Sequence, residues 1–172
     1  MKNKTPPTLR ERVMREEDFI VSKTDPRGII TYGNQTFIEF SGYSEQELLG
    51  QQHNIIRHPD MPRGVFKLLW DTIVTGQEVF AYVKNLSKDG GFYWVFANVT
   101  PDYDEHGRIV GYYSVRRCPR RPAVDICAGL YAQMLAEEQR AGPRDACAAS
   151  MALLQSLLDQ KGVSYEQLVL SL

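Results

Sequence analysis

The stretch Arg57-His58-Pro59-Asp60-Met61-Pro62 combines side chains that can hold a polar ligand. Another histidine, His53, lies shortly before it. Its two prolines each restrict φ to about −65° and remove a backbone donor, so neither a long helix nor a central strand can run through it. Polar side chains on a stiff, irregular backbone suit the wall of a ligand or cofactor site, although a solvated loop has a similar composition.

The length, net charge and cysteine content of the chain argue against several classes of protein. A length of 172 residues allows one domain and an appendage, and a net charge of −1 favours neither nucleic acid nor an anionic membrane as a partner. The apolar runs are shorter than the roughly 20 residues of a membrane span, and the N-terminus lacks the apolar core of a signal peptide. Cys118, Cys127 and Cys147 are an odd number without metal-ligand spacing, which fits a reducing cytoplasm.

The first part of the chain predicts a cap and a hairpin. Residues 1–8 are predicted to be disordered. The charged run 9–18, with Leu9 and Val13 on one stripe, is predicted to form a short helix that docks on the domain or on a second subunit. Strands are predicted at 19–24 and 29–33, around a tight turn.

Local capping signals predict the helices that follow. Asn34 is placed to cap a helix over 35–40, and Ser44 with Glu47 forms a capping box for 45–49. Apolar residues at helical spacing predict a longer helix over 64–75.

Three strands then complete an antiparallel sheet. They are predicted at 79–86, 92–100 and 109–117, the first two joined by a turn of the Asp-Gly kind. The order strand, strand, helices, strand, strand, strand indicates an α+β fold with the helices gathered on one face of a five-stranded sheet.

The last part of the chain is helical. Arg116 to Pro122 is a basic, proline-rich boundary that we interpret as a solvated linker, because a nucleic-acid patch would need aromatic residues and more positive charge. Helices over 123–140 and 144–160 are predicted to form a hairpin broken at Gly142-Pro143. Ser164 with Gln167 caps a final helix that ends at Leu172.

Residues 19–118 resemble the PAS domain, and within that superfamily the FAD-binding PAS domain of bacterial aerotaxis receptors. The piece around Ser41-Gly42-Tyr43 is general to PAS domains, whereas His53 to Pro62 is specific to the aerotaxis-like group. Further matching segments are Thr36–Phe40, Glu47–Gln51, Trp70, Val83–Asn85 and Tyr93-Trp94. The resemblance divides the chain into a cap (1–18), a PAS sensor domain (19–118) and a helical C-terminal extension (119–172).

The resemblance implies a non-covalently bound FAD whose redox state reports oxygen or respiratory status. A flavin ring needs amide groups at its pyrimidine edge and aromatic or apolar faces, and an arginine suits the pyrophosphate. The cofactor-binding residues that the resemblance implies are Arg57, His58, Asp60, Asn85 and Trp70, with His53 and Asn34 as further candidates.

The resemblance also implies a non-enzymatic, cytoplasmic signalling module of the aerotaxis and chemotaxis type, which we expect to form a homodimer. The printed chain ends at Leu172 without a methyl-accepting segment, so we expect its signal to pass by contact to a chemoreceptor or kinase. Two alternatives stay open: a haem-binding PAS gas sensor with His53 or His58 as axial ligand, and a cofactor-free PAS dimerisation domain. A blue-light receptor of the cysteine-adduct kind is disfavoured because residues 50–62 contain no cysteine. No nucleophile–base pair or phosphate-binding loop indicates catalysis.

Overall fold

The structure is a computed structural model that describes residues 5–172. Two strands, a set of short helices and a longer helix precede three long strands, and two helical elements follow. The elements are β1 (Ile20–Thr24), β2 (Ile30–Gly33), α1 (Gln35–Ser41), α2 (Glu45–Leu48), a 3-10 helix (His53–Ile56), α3 (Arg63–Ile73), β3 (Val79–Leu86), β4 (Phe92–Tyr103), β5 (Ile109–Arg117), α4 (Arg121–Lys161) and α5 (Tyr165–Ser171).

The five strands form one antiparallel sheet in the order β2-β1-β5-β4-β3, which confirms the α+β fold. β5 lies at its centre, with Ser114 opposite Ser22 of β1 and Val99 of β4. Arg116 lies opposite Ala97. Since side chains alternate between faces along a strand, these residues share one face, and α3 covers it.

The predicted caps are present. Asn34 accepts a hydrogen bond from Phe37 N (3.0 Å), and Ser44 and Ser164 begin α2 and α5 with capping boxes. β4 is longer than predicted: it continues to Tyr103 because its pairing with β5 extends to the turn that joins the two strands.

The helix predicted for residues 9–18 is wrong. Residues 10–12 lie along the start of β4, where Arg12 N donates to the carbonyl of Phe92 (2.7 Å) and Phe92 N donates to that of Arg10 (3.0 Å), and the segment ends in a turn closed by Asp18 N and the Arg15 carbonyl (3.1 Å). Only Met14 of its apolar residues is buried. A helix over residues 9–18 would have too little apolar surface to pack stably. Its backbone groups instead form hydrogen bonds with β4. Of residues 1–8, predicted to be disordered, 1–4 lie outside the described part of the chain. For the rest the prediction is wrong at Thr8, whose backbone N donates to the Gly90 carbonyl (2.7 Å).

The C-terminal extension is helical, as predicted. α4 breaks at Gly142, whose φ of 77° is left-handed, and Pro143 follows. The two arms of α4, before and after this break, fold back on each other and form a hairpin. Ser150 Oγ on the second arm donates a hydrogen bond to Glu138 Oε1 on the first (2.7 Å). The hairpin packs against α3 and β3, and Tyr131 stacks on Trp94 with ring centroids 6.2 Å apart.

Candidate cofactor site

A cavity of about 270 Å³ lies between the sheet and the helices, and we call it the inner cavity. Alternate residues of four strands form its floor, with an apolar part made by Val83, Val95, Ala97 and Val99. The 3-10 helix and α3 form the opposite wall. A floor that is apolar in one part and carries polar side chains in another is typical of a site for a flat organic ligand.

Arg57 and Asn85 meet at one border of the inner cavity. Their backbones pair in an isolated antiparallel bridge, which attaches the stretch Arg57–Pro62, here called the proline-rich stretch, to the edge of β3. Asn85 is buried, and its side-chain amide makes no hydrogen bond to any residue between 5 and 172. The amide therefore retains its donors and acceptor for a ligand.

The Arg57 guanidinium lies 4.1 Å from the centroid of the Phe66 ring, and its Nη2 donates to the Met61 carbonyl (3.2 Å). Burial lowers the pKa of Arg57, with the Glu138 carboxylate opposing that effect. Arg57 and Asn54 line both the inner cavity and a second space of about 760 Å³, the outer cleft, between the proline-rich stretch and the C-terminal hairpin. Arg57 thus stands where the two spaces adjoin.

His58 faces the outer cleft rather than the inner cavity. It is buried, and its Nδ1 accepts a hydrogen bond from Asp60 N (3.1 Å). Burial, and then the nearby Lys84 ammonium, lower the pKa of His58 to about 4, against the opposing effect of Asp60. His58 is therefore neutral at pH 7 and anchors the turn that follows it.

Asp60 and Asn34 lie away from the inner cavity. The Asp60 carboxylate is on the surface and accepts a hydrogen bond from Lys84 Nζ (2.7 Å). Asn34 caps α1 and ties it to β1, with its amide nitrogen donating to the Phe19 carbonyl (2.8 Å). Both therefore have structural contacts that account for their positions.

Trp70 forms the wall of the inner cavity at its β1–β2 end. Its ring meets Tyr112 edge to face at 5.6 Å between centroids. It also covers Gly28, where a Cβ would lie 3.1 Å from the indole. Together with Phe66 from the same helix, Trp70 gives the cavity an aromatic cover.

His53 lines the cavity beside a buried arginine, Arg116. Arg116 Nη2 lies 2.9 Å from His53 Nε2, and because arginine only donates, Nε2 must be the acceptor and Nδ1 carries the proton. Burial and the Arg116 charge lower the pKa of His53 to about 3. His53 stacks on Phe37 at 5.9 Å between centroids and is held neutral.

Four of the seven predicted residues thus line the inner cavity: His53, Arg57, Trp70 and Asn85. His58 lines the outer cleft, whereas Asp60 and Asn34 line neither. The sequence analysis missed Arg116, Ser22 and Tyr112, which come from β1 and β5. The alternation of Tyr112, Ser114 and Arg116 along β5 is the signal that could have found them, whereas the charge pattern places Arg116 at the start of a basic linker.

Comparisons with known proteins agree with this architecture. A family model described as the PAS fold matches residues 30–116, which is half of the chain. The chain belongs to the PAS family. The aerotaxis receptor of Escherichia coli (strain K12) is 43% identical over 109 residues, which cover 63% of this chain and 21% of that protein. The nitrogen fixation regulatory protein of Klebsiella pneumoniae is 30% identical over 111 residues, covering 64% of this chain and 22% of that protein. The PAS chain therefore spans about a fifth of the length of these relatives.

Solved structures give the same fold. The light-state structure of the blue-light photoreceptor Aureochrome1 LOV is 26% identical, with a TM-score of 0.53 over 73% of this chain and 92% of that chain. A light-oxygen-voltage domain from work on a flavin analogue is 21% identical, with a TM-score of 0.54 over 72% and 86%. The second likeness shows the fold alone.

Residues 5–172 contain no group of three histidine, cysteine or acidic residues that could hold a metal ion. Over the same range, the helices are too short or too polar to span a bilayer.

Proposed function

We propose that this PAS chain binds FAD non-covalently and acts as a redox sensor that signals by protein contact, without catalysis. The observation that carries the proposal is the unpaired Asn85 amide beside Arg57 at the border of the inner cavity, whose floor is apolar in part. The likeness to an aerotaxis receptor supports the same class of function.

The inner cavity suits the ring of a flavin. Asn85 offers an amide to the pyrimidine edge, and Trp70 and Phe66 supply an aromatic cover above the valine floor. None of the described residues that line the cavity is a cysteine, so a photoreceptor that forms a cysteine adduct is not the function proposed.

The remainder of an FAD molecule needs space outside the inner cavity. Pockets for drug-sized ligands measure about 300–1,000 Å³, so a cavity of about 270 Å³ suits one ring system rather than a dinucleotide. Arg57 stands at the junction with the outer cleft and is the residue that we assign to the pyrophosphate. We also assign His58, in its neutral form, to the wall of that cleft.

The haem alternative meets a specific obstacle. His58 does not line the inner cavity, and His53 Nε2 is occupied by Arg116 and Ser22. Coordination of iron through Nε2 would break these contacts and bring a metal cation next to a guanidinium. The cofactor-free alternative leaves the buried Arg116 Nη1 without an acceptor among residues 5–172.

We further propose that the protein is a cytoplasmic homodimer whose hairpin passes the signal to a chemoreceptor or kinase. The N-terminal segment leaves Leu9 and Val13 exposed by 99% and 66%, and a second copy would cover them. Light scattering at the elution peak measures the mass directly. A mass of twice 19.6 kDa that falls by half in Leu9→Glu, Val13→Glu supports the dimer, and 19.6 kDa in the parent chain contradicts it.

The cofactor assignment is tested by reconstitution. The chain is stripped of bound chromophore and titrated with FAD, FMN and haem, and binding is followed by fluorescence or absorbance. FAD should bind more tightly than FMN, and Arg57→Ala should reduce that preference. Arg117→Ala, an exposed arginine beside Phe19, is the matched control and should leave it unchanged. Haem binding without flavin binding, or no binding at all, would refute the proposal.

A further inference from the structure

Arg116 is a buried cation on the floor of the inner cavity. Only 2% of it is exposed, and it projects from the central strand β5. Its Nε donates to Ser114 Oγ (2.9 Å), and its Nη2 contacts Ser22 Oγ and His53 Nε2. Its Nη1 is buried and has no hydrogen-bond partner among residues 5–172.

The charge of Arg116 is not neutralised by the protein groups around it. No aspartate or glutamate occurs among the described residues that line the cavity. Burial lowers the pKa of Arg116 to about 10, so the group still carries its charge at pH 7. An isolated buried charge strongly disfavours folding, and a buried N–H without an acceptor adds to that effect. A ligand with negative charge or acceptor atoms in the cavity would offset both.

The surroundings of Arg116 hold the guanidinium in one position. Two serine hydroxyls and a neutral histidine accept hydrogen bonds from part of the Arg116 guanidinium. The centroid of the Phe37 ring lies 4.9 Å from the guanidinium carbon. A cation that is already oriented needs no reorganisation when charge develops beside it, and a site of low dielectric strengthens its effect.

We propose that Arg116 is the residue that favours the reduced form of the bound cofactor, by contact between its guanidinium and the ring. This inference rests on the proposed flavin binding. A flavin ring takes two electrons and one proton from an external electron donor and so gains one negative charge at neutral pH. Arg116 supplies the opposite charge within the cavity and thereby sets the potential at which the sensor switches.

The first test compares potentials in the full-length, flavin-loaded protein. Arg116→Met removes the charge and keeps an apolar stem, and Arg117→Met is the matched control on the next, exposed position of β5. We expect the ratio of the affinity for reduced flavin to the affinity for oxidised flavin to be tenfold to a hundredfold lower in Arg116→Met than in the parent. This corresponds to a midpoint potential lower by about 30 to 60 mV for a two-electron couple. An unchanged potential in Arg116→Met would overturn the proposal.

The second test separates a ligand contact from a structural role. Without flavin, Arg116→Met should unfold at the same or a higher urea concentration than the parent, because an uncompensated buried charge has been removed. With flavin, the stabilisation by ligand should be smaller in the variant. Equal destabilisation of both forms would show a structural role and overturn the proposal.

A further pair of variants covers the case in which Arg116→Met does not fold. Arg116→Lys keeps the charge and Arg116→Gln removes it. A lower potential in the glutamine variant supports the proposal, and equal potentials overturn it. Failure of the proposed function is distinct from either result, because a parent chain that binds no flavin has no potential to measure.

Discussion

The backbones of Arg57 and Asn85 pair with each other in an isolated antiparallel bridge. This pairing fixes the proline-rich stretch against the edge strand β3, so that one guanidinium and one free amide border the same cavity. It also places Arg57 between that cavity and the cleft under the C-terminal hairpin. The pair thus joins the proposed cofactor site to the proposed output element.

Replacement of Asn85 by alanine should weaken flavin binding by about 10-fold to 100-fold. Loss of one or two hydrogen bonds to the ring corresponds to about 1.4–3 kcal/mol. The stability of the flavin-free chain should change little, since the amide has no partner among residues 5–172. The measurement is a fluorescence titration with FAD.

The matched control for Asn85 is Asn98→Ala. Asn98 also lies on a strand, but its amide donates to Glu78 Oε2 (2.9 Å) on the exposed side of the sheet. Its removal should leave the affinity for FAD unchanged. Equal losses in the two variants would contradict the assignment of Asn85 to the ligand.

Stability of the flavin-free chain should fall between pH 6.5 and pH 4.5. The pKa values of His53 and His58 are lowered to about 3 and about 4, so in this range the unfolded chain binds protons that the folded chain does not. Linkage then lowers the free energy of unfolding as pH falls, by up to about 1.4 kcal/mol per pH unit for each histidine.

Urea unfolding at a series of pH values checks this slope. His58→Gln removes one of the two protons and should reduce the slope by about half. The upper part of the window, from pH 6.5 to about pH 5.5, lies above the range in which carboxylates take up protons, so the effect of the histidines is read there. A constant free energy of unfolding across the window would contradict the burial of neutral histidines.

Glu138 links the hairpin to α3 by a hydrogen bond. It is buried, and its Oε1 accepts from Gly64 N (3.1 Å) and Ser150 Oγ (2.7 Å). Glu138→Leu leaves both donors without this acceptor and should lower the free energy of unfolding by about 1–3 kcal/mol. Glu137→Leu, which loses only an ion pair with Arg140, should change it by about 0.5 kcal/mol or less. Urea denaturation of the two variants compares them, and equal effects would contradict the anchoring role.

The hairpin should respond to the redox state of the cofactor. Arg57 and Glu138 both line the outer cleft. A change in the charge of the flavin ring that moves Arg57 would therefore alter contacts next to the hairpin. We expect amide hydrogen exchange in residues 119–172 to differ between oxidised and reduced protein. Identical protection in both states would remove the hairpin from the signalling account.

Local signals in the sequence were sufficient for most of the fold. The bounds of β3 and β5 were predicted from alternation between glycine-containing turns, and Asn34, Ser44 and Ser164 were recognised as caps because capping depends on neighbours in sequence. The helix over 9–18 was wrong because its charged residues are compatible with a helix, and only the tertiary structure presents β4 as a competing partner.

The site was predicted less completely than the fold. The stretch 57–62 was recognised as a unit, but its turn directs His58 inward to the cleft and Asp60 outward to Lys84, which the residue types alone do not reveal. Arg116 was missed because its contacts depend on β1 and the 3-10 helix lying beside β5. Register across a sheet, rather than any local pattern, brings Ser22, Ser114 and Arg116 together.

The central claim is tested most directly by the absorption spectrum of the freshly purified full-length chain during anaerobic reduction and reoxidation. Our account predicts the twin bands of a bound flavin, which bleach on reduction and return in air, and FAD as the chromophore released on denaturation. A Soret band would indicate haem instead. A protein that stays colourless after incubation with FAD would contradict the sensor function and leave a cofactor-free interaction domain.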